Sequence, residues 1–360
     1  MPRPRLVPRQ TPSRWMALLA PLIAALATLL SGAILFAALG RDPLQALWVF
    51  FVSPVSSWYG LGELGIKAAP LILCATGLAV GFRGGVWNIG AEGQLTLGAI
   101  AGGGLALAFP DGAGPWLLPA MLLAGVLGGM LWAAIPAFLR TRFHTNEILT
   151  SLMLSYVAVQ LLGYLVHGPW RSPEGYNFPE SMLFSADATL PIILSGTRLH
   201  PGILAALVAA LLAWLLMARL FPGYRIKVVG MARPAAAYAG FSHARIVWWG
   251  MLVGGGLAGL AGVMEVAGPI GQLIPRISPG YGFAAIIVAF LGRLHPVGVI
   301  LAGLLMALLY LGGEQAQIGL GLPPAVTGLF QGMLLFFVLA SDVFIHFRLV
   351  WGPLAPRAKS

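Results

Sequence analysis

The chain has 360 residues, of which 59% are apolar and 9% charged, and a formal charge of +10. Soluble domains carry roughly 25% charged residues, so this chain lacks the polar groups to cover a water-facing surface, and an ordinary soluble fold is excluded. The basic excess is no nucleic-acid footprint, because Lys and Arg lie between apolar runs rather than on one face.

A bilayer span needs roughly 20 apolar residues. Barrel strands would show alternating polarity in segments of about ten residues, whereas the runs here are long and unbroken, so the spans are helical. The 48 Gly, which would mark loops in water, suit helices that approach closely in lipid. In chain order, a basic tail (1–14) with Arg3, Arg5, Arg9 and Arg14 precedes an apolar run, 15–39. That run is longer than a signal-peptide core of ~7–15 residues and reads as an uncleaved first helix. Further spans are predicted at 64–82, 86–109, 116–139 and 148–167. A loop of Trp170, Glu174, Tyr176, Glu180 and Asp187 follows, then a span at 203–220 and a basic segment, 222–245. The last four spans are predicted at 246–267, 281–291, 297–311 and 325–340, and a tail (342–360) closes the chain. Cys74, the single cysteine, reads as a small core residue and rules out an intrachain disulfide.

With the N-terminus inside, ten spans place 16 of the 21 Lys and Arg on the cytoplasmic side, as the positive-inside rule requires. The prediction is an all-α polytopic membrane protein, N-in and C-in, with a permease domain over 15–341. Its two five-helix halves would run in opposite directions, as in inverted-repeat transporters.

Three segments carry candidate functional residues. The span at 86–109 opens with Trp87, Asn88, Glu92 and Gln94 among glycines. A carboxylate at the bilayer centre costs roughly 2.5–3.5 kcal/mol, so Glu92 must face protein or water. It belongs either to a discontinuous helix beside a transport pathway or to a structural network near the cytoplasmic interface. Before the fifth span, Thr145 or Asn146 can cap the helix and Glu147 suits its first turn; a gating role is the alternative. In the basic segment, Arg233-Pro234-Ala235-Ala236-Ala237-Tyr238-Ala239-Gly240 predicts a short helix. It is too short to stand alone in water and must dock on the protein's own core or on a cytoplasmic partner. Gln160, Glu265, Gln272 and Gln331 are further polar residues in or beside apolar runs, each read first as a helix-packing group. The six His have no metal-ligand spacing, no phosphate-binding Gly-Lys-Ser/Thr occurs, and no catalytic triad stands out.

These segments together resemble the permease subunits of bacterial ABC importers for nucleosides and simple sugars, of the branched-chain amino acid/ribose/nucleoside type. The resemblance spans about Glu63 to Asp342. It rests on G-V-W-N-I-G-A-E-G-Q (85–94), T-N-E-I-L-T-S-L-M-L-S-Y (145–156), A-A-A-Y-A-G (235–240), G-G-L-A-G-L-A-G-V-M-E (255–265), S-P-G-Y-G-F (278–283) and L-G-R-L-H-P-V-G (291–298). It implies a fold like that of the vitamin B12 importer and a location in the bacterial inner membrane. It also implies a cytoplasmic ATPase that binds ATP and Mg, an extracytoplasmic substrate-binding lipoprotein, and a second, different permease. No cofactor or metal is expected on this chain. The 232–241 segment resembles the helix that couples a permease to its ATPase, although Ala232-Arg233 stands where relatives often have Asn-Pro. Tyr156, Tyr281 and Phe283 are candidates for stacking on a nucleobase, with helix packing as the equal alternative. An ion-coupled carrier would use Glu92 and Glu265 as its buried acids; an intramembrane enzyme would need a convergent acid–base or metal set, and none is found.

Overall fold

A computed structural model describes residues 3–9, 11 and 13–352. Arg357 and Lys359 of the C-terminal tail lie outside the described residues. Those described are predominantly helical: α1 (Arg14–Ala38), α2 (Pro43–Phe51), α3 (Trp58–Arg83), α4 (Ala91–Leu107), α5 (Leu117–Phe143), α6 (Glu147–His167), α7 (Gly202–Arg219), α8 (Phe221–Met231), α9 (Arg233–Tyr238), α10 (His243–Glu265), α11 (Tyr281–Leu291), α12 (Pro296–Leu320) and α13 (Ala325–His346). Among them, seven are long and apolar enough to cross a membrane. Leu123, Leu127 and Leu131 of α5 and Leu204, Val208 and Leu212 of α7 are exposed. Bare leucine on this scale suits lipid as the solvent, and the chain is a polytopic membrane protein.

Several elements differ from the sequence reading. The predicted span 86–109 begins as irregular chain, and α4 starts only at Ala91. Gly85 turns with φ +71, and the Asn88 side chain takes the Gly90 N–H at 2.9 Å, a local bond that competes with helix. α12 runs past 311 to Leu320; Gly312 and Gly313 within it let Phe50 and Thr327 approach closely, and the chain turns only at Gly321, φ +62. α2 was not foreseen; Asp42 caps it by accepting from Leu44 and Gln45, with Pro43 at its first position. α8 makes the start of the basic segment 222–245 helical, with Pro222 in its first turn.

The chain forms two compact units, 1–54 with 309–360, and 55–308. In the first, α1 and α13 pack together around fully buried Phe36, Phe50 and Phe330, with Phe50 stacked on Phe330 at 4.5 Å between centroids. Strands β1 (Arg3–Pro8) and β2 (Phe347–Gly352) pair antiparallel in this unit, Arg5 opposite Val350.

The second unit is built around α10, which packs on α3, α4 and α5. The crossings are glycine on glycine or on backbone: Gly254 on Gly77, Gly259 on Gly98 and Gly129, Gly262 on Leu95. A side chain at these points would collide with main chain. Without a hydrophobic drive in lipid, such contact is how helices associate. The loop 168–201 is pinned to the segment after α10 by Leu190 N–H to Ala267 O (2.7 Å), Phe184 N–H to Gly271 O (2.9 Å) and Ser181 N–H to Leu273 O (2.9 Å). Its end is held by a two-pronged pair, Arg198 Nε to Glu63 Oε1 at 2.9 Å and Nη2 to Oε2 at 2.7 Å. The Glu63 carboxylate raises the Arg198 pKa further above its usual value. Beside it, His200 is buried; its Nδ1 accepts from Gly202 N–H at 3.1 Å, which leaves the proton on Nε2.

Two measurements follow. Gly259→Leu over-packs the α10 crossing and is expected to cost about 1–3 kcal/mol, read as a lower unfolding temperature in detergent. Gly163→Leu, where a Cβ meets nothing, should leave that temperature within a degree or two of the parent, at about 0.5 kcal/mol or less. Burial lowers the His200 pKa from 6.5 to about 4. The associated stability is complete above about pH 6.5 and lost as pH falls toward 4, because the unfolded chain takes the proton first. The loss amounts to about 3 kcal/mol at the acid end, and His200→Asn should flatten that part of the stability–pH curve.

Candidate functional site

The site grows from the break between α3 and α4. α3 ends at Arg83, the glycines 84–85 redirect the chain, and residues 86–90 cross without helix. Irregular backbone inside a membrane protein survives only if its polar groups find partners. Here side chains supply them. Ile89 N–H donates to Ser151 Oγ (3.1 Å) and Gly93 N–H to Ser155 Oγ (3.3 Å), both on α6. Asn88 and Gln94, each 1% exposed, close a reciprocal amide pair, Nδ2 to Oε1 at 2.9 Å and Nε2 to Oδ1 at 3.0 Å.

Glu92 lies in the first turn of α4, 6% exposed. Its Oε2 accepts the Gly282 N–H of α11 at 2.7 Å. α11 is only 11 residues long, ~16 Å of rise against ~30 Å of hydrocarbon, too short to cross a bilayer by itself. Two helix N-termini therefore meet at one carboxylate, and both favour negative charge. Gly282 makes the approach possible, since a Cβ there would overlap the backbone of Glu92. Ser278 prepares this end of α11 by accepting from Gly280 N–H (3.0 Å) and Tyr281 N–H (2.8 Å).

A cavity of about 510 Å³ opens on this point. Glu92, Ser155, Tyr156 and Gln160 line one side, and Arg276, Ser278 and Phe283 the other. Of the sequence candidates, Glu92, Tyr156, Gln160 and Phe283 come together here. Tyr281 does not line the cavity; it is 2% exposed and packed inside. Trp87 stacks instead with Phe82 (5.2 Å) and Phe290 (6.0 Å). Asn88 and Gln94 support the break without lining the space. Arg276, Ser278 and Ser155 were not singled out as site residues, although two of them fall in quoted motifs. A serine reads as helix filler until a second element is seen opposite it. Glu265 is buried at the end of α10 and is not part of this cavity, and Gln272 donates to Glu180 at 3.0 Å.

The other two segments lie elsewhere. Asn146 Oδ1 caps α6 by accepting from Ile148 (2.9 Å) and Leu149 (3.4 Å). Glu147 is buried and pairs with Arg140 Nε at 3.1 Å, and Arg140 also donates to Thr145 O. This ties the end of α5 to the start of α6. α9 spans Arg233–Tyr238 with Pro234 in its first turn. Arg233 donates to Gly85 O at 3.1 Å, joining α9 to the break. Ala236 is buried in the protein's own core, whereas Ala235, Tyr238 and Ala239 are exposed, Tyr238 to 98%. The turn after α9 uses Gly240 at φ +78.

The cavity at Glu92 and the exposed face of α9 belong to a chain with known relatives. The family described as branched-chain amino acid transport system / permease component matches residues 61–339, and the chain belongs to it. It is 39% identical to the glucose ABC transporter permease protein TsgB13 of Haloferax volcanii, over 96% of this chain and 93% of that one. It is 33% identical to the guanosine ABC transporter permease protein NupP of Bacillus subtilis, over 90% and 93% of the two chains. Identity to the nucleoside ABC transporter permease protein NupB of Lactococcus lactis subsp. cremoris is 30%, over 89% and 90%. The class is that of ABC transporter permease subunits, which are transport proteins and not enzymes.

Glu92→Gln keeps an acceptor for Gly282 N–H and removes the charge. It is expected to assemble normally and to change uptake kinetics several-fold; unchanged kinetics would reduce Glu92 to a structural tie. Glu92→Ala leaves the buried N–H without a partner and should lower stability by about 1–3 kcal/mol.

Proposed function

We propose that this chain forms half of the translocation pathway of an ATP-binding-cassette importer, and that its substrate passes the cavity at Glu92. The observation that carries this reading is the meeting of two helix N-termini on a buried carboxylate beside that cavity. Discontinuous helices of this kind hold substrate sites in membrane carriers. The chain crosses the bilayer ten times in this reading, through α1, α3–α7 and α10–α13. Both ends are cytoplasmic, and the residues 15–341 form one permease domain with an inverted five-helix repeat like that of the vitamin B12 importer. The concentration of Lys and Arg on one side supports it.

The substrate class is a nucleoside. Tyr156 and Phe283 offer ring faces, while Glu92, Gln160, Arg276 and Ser278 offer hydrogen bonds, which suits a molecule with an aromatic base and a hydroxylated sugar. The relatives named for guanosine and nucleoside transport support this reading; the 39% identical relative, named for glucose, favours a simple sugar as the second one. ATP and Mg act on a partner ATPase, to which α9 couples through its exposed Ala235, Tyr238 and Ala239. A second, different permease completes the pathway in the bacterial inner membrane, and an extracytoplasmic lipoprotein delivers substrate.

The test is reconstitution in vesicles with the ATPase and second permease, followed by uptake of labelled guanosine and glucose with the receptor present. ATP-dependent guanosine uptake is expected. Glucose uptake alone would move the assignment to the sugar reading, and uptake without the ATPase would remove the importer. Ala239→Glu should insert normally and lower uptake at least tenfold while the ATPase retains hydrolysis; normal uptake would dismiss α9 as the coupling element. Ala236→Glu is a poor probe, because it buries a charge in the protein's own core.

A further inference from the structure

Away from the Glu92 cavity, a second hollow of about 440 Å³ is walled by Arg83, Trp214, Met217, Ala218, Lys227, Met231, His295 and Pro296. Its basic side chains come from three separate parts of the fold. Arg83 is the last residue of α3, Lys227 lies on α8, and His295 sits in the turn before α12. Arg83 is half-buried, and neither it nor Lys227 is ion-paired to a carboxylate among the described residues. A guanidinium drawn partly out of water without a counter-ion is costly, so the hollow is suited to an anion.

The remaining wall says what kind of anion. Trp214 and Ala218 lie on one face of α7, and stepping back along that face gives Leu207 and Leu211, both exposed. An apolar track therefore leads from the cationic hollow along a helix long and apolar enough to span the bilayer. Tryptophan at its mouth matches the level of lipid headgroups. Free phosphate would use the cations and leave the track bare.

From this juxtaposition we infer that the hollow binds an anionic phospholipid. The lipid phosphate sits among Arg83, Lys227 and His295, and an acyl chain lies along Trp214, Leu211 and Leu207. Basic pockets between helices on the cytoplasmic side are where such headgroups bind. The choice of leaflet rests on the orientation proposed above. Binding is measured in detergent, where neither leaflet exists, so a reversed topology and an unoccupied hollow give different results.

The experiment is native mass spectrometry of the full chain in detergent. Dioleoylphosphatidylglycerol is titrated against dioleoylphosphatidylcholine, with inorganic phosphate as a third arm. One phosphatidylglycerol should be retained in preference to phosphatidylcholine. Lys227→Gln and Arg83→Gln should each weaken that retention about fivefold, and Arg142→Gln, an exposed cation outside the hollow, should leave it unchanged. Lys227 is exposed, so its variant remains informative if Arg83→Gln fails to assemble. Equal retention of the two lipids would overturn the inference. So would a loss with Arg142→Gln as large as with Lys227→Gln, which would indicate diffuse charge, or displacement of the lipid by inorganic phosphate.

Discussion

A buried carboxylate needs hydrogen-bond donors, and here the backbone of a second helix supplies one. Glu92 takes the Gly282 N–H of α11 at 2.7 Å while sitting in the first turn of α4. Neither helix could begin where it does unless its first amides had somewhere to point. The same contact brings the α4 break against the Ser278–Phe283 segment, and the 510 Å³ cavity is the space left beside that junction. The Asn88–Gln94 pair and the serines of α6 hold the other side of the same break.

That junction depends on how closely the helices can approach. Gly282 against Glu92, Gly93 against Ser155, and Gly259 against Gly98 and Gly129 let main chains touch where a methyl group would hold them apart. At the α10 crossings the contacts are therefore small residues and backbone, while Leu123, Leu127 and Leu131 of α5 and Leu204 and Leu212 of α7 face outward. The inversion relative to a soluble protein follows from the solvent: lipid gives leucine no reason to hide, so close packing and hydrogen bonds do the associating.

At the opposite end of the break, charge organises the surface. Arg233 reaches Gly85 O and so connects α9 to the chain entering the Glu92 site. Ala236 anchors α9 in the core and Tyr238 is left fully outward. α9 is thus held on one side by its own protein and bare on the other. The Arg140–Glu147 pair does for α5 and α6 what Arg233 does for α9, fixing a connection rather than offering a ligand.

The sequence by itself determined the helical membrane class and the family, because apolar run length and ordered motifs are local properties. A polar interruption at the start of the predicted span 86–109, the short helix from Arg233 to its end at Gly240 and a cap by Thr145 or Asn146 were legible for the same reason, whereas the position of the break, 84–90, and the choice of Asn146 came from the structure. Only the tertiary structure decided which of the aromatic candidates shares a cavity with Glu92. Tyr156 and Phe283 do, whereas Tyr281 is buried and Trp87 stacks on Phe82 and Phe290. It also decided that Ala236 faces inward and Ala239 outward. The carboxylate of Glu92 and its donor at Gly282 lie 190 residues apart. No periodicity or local propensity encodes that distance, and what closes it is glycine-to-backbone packing, visible only when both helices are in place.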